Sequence, residues 1–71
     1  MTQTYEFQLA RANEAAAEAE GALLDNVRQR ALRSEAAWRE MAKRTLKMEH
    51  EREKVRAARE IQAEAAVVGT N

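Results

Sequence analysis

Leu24-Asp25-Asn26-Val27-Arg28-Gln29-Arg30-Ala31-Leu32-Arg33-Ser34-Glu35-Ala36-Ala37-Trp38-Arg39-Glu40-Met41-Ala42-Lys43-Arg44-Thr45-Leu46-Lys47-Met48 is the stretch that decides the fold of this chain. Val27, Ala31, Ser34, Trp38, Met41, Thr45 and Met48 recur at alternating steps of four and three. Residues so spaced lie on one side of an α-helix. Trp38, the sole tryptophan, stands in the middle of that stripe. The rest of the chain reads as something that covers the stripe or extends the helix bearing it.

Working back from Leu24, a second stripe is formed by Tyr5, Leu9, Ala12, Ala16, Ala19 and Leu23. Its centre is alanine, which lets another helix approach closely but buries little area. The larger packing groups must then come from the opposite helix, with Trp38 and Met41 as the natural candidates. Thr2 or Thr4 can cap the first helix, with Glu6 near its positive end.

Between the stripes stand Gly21 and Asp25. Glycine just past a helix can take the left-handed conformation that ends one, and Asp is a good N-cap. The punctuation predicts helix 1 over about 4–20, a turn over about 21–25 and helix 2 over about 26–66. Residues 67–71 form a loose tail, and Met1–Gln3 fray. A short connection makes the helices antiparallel. The expected fold is therefore all-α, one helical hairpin over residues 1–71.

Composition agrees. Proline is absent and the helix formers Ala, Glu, Arg, Leu, Lys, Gln and Met dominate the 71 residues. A core of this size supplies only about 3–5 kcal/mol unless helped, and without cysteine no disulfide is available. Self-association is the favoured aid, giving a homodimer built as a four-helix bundle or coiled coil. The second helix, about 60 Å long at ~1.5 Å per residue, outruns the first, which can cover it only to about Thr45. Beyond lies Glu49-His50-Glu51-Arg52-Glu53-Lys54, read as solvated or fraying. A weak apolar stripe of Val55, Ala58, Ile61 or Gln62, Ala65 and Val68 then resumes. Glu53–Arg56 and Arg56–Glu60 are helpful helical pairs.

Residues 5–48 resemble a pattern in small uncharacterised bacterial proteins, chiefly alphaproteobacterial. There an Ala/Glu-rich helix, matched here by Tyr5 and Leu9-Ala10-Arg11-Ala12, precedes an Asp-x-Val-Arg turn. Asp25-Asn26-Val27-Arg28 matches that turn, and an aromatic-centred helix around Trp38 follows. The resemblance implies a helical hairpin and implies no activity.

Chemistry finds little footing. His50 has Glu53 at i+3, but Leu46 and Lys47 precede it where a Glu-x-x-His element needs a carboxylate, so no metal or other cofactor is expected. Ser34 lies about 24 Å along the same helix from His50, too far for a nucleophile–base pair. It reads instead as a small interface residue bonded to a backbone carbonyl. The carboxylates stand among bases on solvated faces. An enzyme is not expected.

Net charge is zero but unevenly spread. Residues 1–25 carry one base against five acids, and residues 26–48 carry seven bases against two acids. Two readings follow. In the first, the bases pair with the acidic first helix, in the same chain or a neighbour, and Arg28, Arg39, Lys43 and Lys47 steer a protein partner. In the second, that ridge meets nucleic-acid phosphates. Few aromatics for base stacking and no reading motif favour the first. The expectation is a small interaction or adaptor protein acting through helix–helix contacts, with self or another helical protein as partner. Tyr5, Leu9, Ala12, Ala16, Ala19, Val27, Ala31, Trp38 and Met41 form the packing interface. No apolar run approaches the roughly 20 residues that span a bilayer, and the N-terminus lacks a signal peptide's basic start and apolar core. A cytoplasmic location is expected.

Overall fold

The computed structural model describes residues 3–69, with side chains through Ala66. Two helices, α1 (Tyr5–Gly21) and α2 (Asp25–Gly69), pack as an antiparallel hairpin with principal extents of 72 × 19 × 14 Å.

Thr4 starts α1. Its backbone is extended, its Oγ1 accepts from the Phe7 N–H at 3.1 Å, and its carbonyl accepts from the Gln8 N–H at 3.1 Å. The hydroxyl thereby satisfies one of the helix's four orphan donors, the carbonyl accepts the first helical bond, and Glu6 lies in the first turn, where negative charge is favoured. The alternative cap Thr2, and the fraying expected at Met1, lie outside the described residues. Gln3 precedes the helix.

The connection departs from the expected punctuation. Gly21 is the last helical residue, and no described residue has positive φ. The chain leaves through Ala22 in extended conformation (φ −72°, ψ 131°), whose N–H donates to the Ala19 carbonyl at 3.3 Å. An extended exit needs no left-handed residue, so the glycine's conformational freedom goes unused. Asp25 is likewise not an N-cap but the first residue of α2. The Leu24 carbonyl accepts the first helical bond, from the Arg28 N–H at 3.0 Å. Asp25 serves the helix start through its charge and pairs with Arg28 at 3.7 Å. The Asp-x-Val-Arg stretch is thus the opening turn of α2, and the connection is Ala22-Leu23-Leu24.

α2 is continuous through Glu49–Lys54 and extends to Gly69, so residues 67–69, expected to be loose, are helical. Thr70 and Asn71 lie outside the described residues. At about 1.5 Å per residue its 45 residues make a rod of about 67 Å, against about 25 Å for α1.

The seam between the helices is alanine. Ala12, Ala15 and Ala19 of α1 and Ala31 and Ala42 of α2 are its buried apolar residues. Small side chains under the line of contact let the axes close up, and the larger groups are pushed to its edges. Tyr5, Leu9, Ala16, Val27, Trp38, Met41, Thr45 and Leu46 are accordingly half-buried. On α1 the innermost line runs through Tyr5, Gln8, Ala12, Ala15, Ala19 and Ala22, while Leu23 is 97% exposed at the turn. On α2 Ser34 and Met48 are exposed, and Glu35 and Ala42 take the inward positions. Ser34 is therefore not the interface residue expected of it.

Candidate interaction surface

Trp38 organises the open end of the hairpin. It is half-buried, with the Phe7 ring edge-on to it (centroids 5.9 Å apart, planes at 80°) and the Arg11 guanidinium 5.4 Å from its ring centroid. Edge-to-face rings and a cation over an indole are both electrostatically favourable contacts. Neither Phe7 nor Arg11 belongs to the apolar stripe of α1, which is why periodicity missed them. The signal that could have found them is spacing: at i and i+4 they form a ledge beside the stripe wide enough for an indole. On the other side of the seam, Arg39 donates to Asn13 Oδ1 at 3.3 Å and to Glu35 Oε2 at 2.7 Å.

Gln8 is buried in the seam, 7% exposed, and its Oε1 has no hydrogen-bond partner. It was not among the expected packing residues, because a glutamine carries no apolar signal.

The ion pairs overturn one form of the charge-pairing expectation, pairing within the same chain. Every salt bridge among the described residues runs along a single helix: Arg11–Glu14, Asp25–Arg28, Glu35–Arg39, Glu40–Arg44, Glu51–Lys54, Glu53–Arg56 and Arg56–Glu60. The bases of α2 do not pair with the acids of α1. Where charged groups do reach across the alanine seam they meet uncharged partners, Arg11 the Trp38 ring and Arg39 the Asn13 amide. Of the four expected steering bases, Arg28 and Arg39 are held by Asp25 and Glu35, whereas Lys43 and Lys47 have no acidic partner among the described residues. Arg30, Arg33, Arg52 and Arg59 are unpaired in the same sense, as are Glu6, Glu18 and Glu20 on α1. Lys43, Leu46, Lys47 and His50 line a shallow open groove on one face of α2.

From Lys47 to Ala66 α2 has no partner in this chain. Every side chain there is exposed except Ala57, which is half-buried. Met48 is 58% exposed and Val55 50%, and Ile61 is also bare. The segment's own charges support the helix modestly, as exposed pairs three and four residues apart do. Arg56 bridges Glu53 and Glu60, the latter at 2.6 Å. The Arg56 hydrogen bond, and secondly its charge, hold the Glu53 carboxyl below its ordinary value, and the same contact raises Arg56.

No group of three or more His, Cys, Asp or Glu able to hold a metal occurs among the described residues, and no described helix is long and apolar enough to cross a membrane. Comparison with protein-family models, curated proteins and solved structures finds no match to this chain.

Proposed function

We propose that this chain is a small, non-enzymatic interaction protein that works through helix–helix contacts, in the cytoplasm. One observation carries the reading. Some 20 residues of regular helix, Lys47 to Ala66, stand bare beyond the end of α1 while exposing Met48, Val55 and Ile61. Most helical stability in proteins comes from packing an apolar face, and this segment packs on nothing in its own chain. A partner helix supplies that packing. The likeness of residues 5–48 to small bacterial hairpin proteins is compatible with this role and adds no activity to it.

The unpaired cations Arg30, Arg33, Lys43 and Lys47 favour a second reading, attachment to nucleic-acid phosphates. Titration with duplex DNA, followed by the emission of Trp38, separates the two. The interaction reading expects no saturable change near physiological salt. A saturable response whose affinity falls steeply as salt rises would replace it with the second reading.

A further inference from the structure

We propose that the partner for the bare half of α2 is a second copy of this chain. In that dimer the tail of each α2 lies antiparallel to the partner's α2, in the cleft beside its α1. The proposal rests on the helix–helix reading and names the occupant.

Three observations converge. The first is side. Trp38, Met41, Met48 and Val55 follow at steps of three, seven and seven, which keeps them on one side of α2. Phe7 and Arg11 of α1 lean onto Trp38 from that same side, and Phe7 remains 46% exposed. An apolar strip thus runs from the open end of the hairpin out along the bare helix. Half of it lies over a cleft between two helices, and the other half lies on a helix with nothing beside it. A two-fold axis brings each half onto the other.

The second is length. The bare segment from Lys47 to Ala66 measures about 30 Å, enough to span the whole of α1, about 25 Å. A seat of α1's length, about 25 Å, and about 10 Å wide, counted on both surfaces and for both seats, comes to about 1,000 Å², the area a specific protein interface has to clear.

The third is charge and register. A tail antiparallel to the partner's α2 runs parallel to the partner's α1. Eleven residues separate Phe7 from Glu18 on α1, and eleven separate Met48 from Arg59 on α2. Met48 over the partner's Phe7 therefore sets Arg59 beside the partner's Glu18. Glu18 lies seven residues from Arg11, hence on the same side of α1, and neither Glu18 nor Arg59 has an ionic partner within the chain among the described residues. Val55 falls between these contacts, and Arg52 comes to the level of Arg11, whose charge the Glu14 pair offsets within α1. Parallel pairing of two tails through this strip would instead set Arg52 and Arg59 against their own copies, a like-charge contact that disfavours it.

The test is sedimentation of the full chain over a range of concentration. The wild-type chain is expected to dimerise. Val55→Asp, at a site exposed within the hairpin, is expected to weaken the dimer at least tenfold with far-UV circular dichroism of the dilute hairpin unchanged. Glu18→Arg and Arg59→Glu are each expected to weaken it several-fold, and the double variant to recover most of the loss. Val55→Cys is expected to form no disulfide between copies, because the two residues lie about 36 Å apart along the antiparallel pair. A monomer at all concentrations overturns self-pairing while leaving the helix–helix function standing, and salt-steep DNA binding by that monomer would remove both. A dimer indifferent to Val55→Asp, charge variants that fail to rescue each other, or a ready Val55→Cys disulfide would each overturn this arrangement.

Discussion

At the scale of single residues, Gly21 illustrates how a correct boundary can rest on the wrong mechanism. Its place at the end of α1 was readable because glycine is poor inside helices, yet its backbone has no positive φ. A Cβ built there meets nothing within 4 Å. Gly21→Ala is therefore expected to stabilise the hairpin by about 0.5–1 kcal/mol, raising the thermal midpoint by a few degrees, where a left-handed cap would have predicted a loss. Thr4 was readable for the right reason, since hydroxyl capping is a local interaction that its neighbours do not override. Gln8 was not readable. Its burial follows from the helix's rotation about its axis, which is fixed by what lies across the seam, and a polar side chain gives no sign of it.

At the scale of elements, both helices were legible from strong formers and periodic apolar positions, whereas the line of closest contact was displaced by about one residue on each. The four-three pattern passes through Ala12, Ala19 and Ala31, which the seam does bury, but also through Leu9, Ser34 and Met48, which it does not. Close packing takes Ala15 and Ala42 in addition and leaves larger groups at the edges. The C-terminal half of α2 is supported in part by charge, and that has a pH signature. A carboxyl whose value is lowered in the helix contributes above its unstructured value and ceases to contribute as pH falls through the lowered one. Glu53 is such a group. Acidification from neutrality to below the ordinary glutamate range is expected to reduce far-UV helicity, and Glu53→Gln to make that loss smaller by lowering the helicity at neutral pH already. A helicity at neutral pH unaltered by Glu53→Gln would show that the Arg56 bridge does not support this segment.

At the scale of the whole molecule, the hairpin's stability leans on one aromatic. Trp38 contacts both Phe7 and Arg11 yet is only half-buried, so Trp38→Ala is expected to cost about 2 kcal/mol, below the 3–5 kcal/mol typical of a fully enclosed ring. Chemical unfolding followed by circular dichroism measures it, and an unchanged midpoint would contradict the packing described. The antiparallel arrangement was foreseeable from the short connection, but the separation of charges was not, because sign alone does not say which way a side chain faces. The three-residue connection Ala22-Leu23-Leu24 has one more consequence, for kinetics. Every contact between α1 and α2 closes a loop through that single turn, and the loop is smallest beside it. The entropy of closure therefore rises steadily from Ala19 outward. The chain should zip from the turn on a microsecond-to-millisecond scale, and the open end around Tyr5 and Ala42, the last to meet, should be the first to come apart.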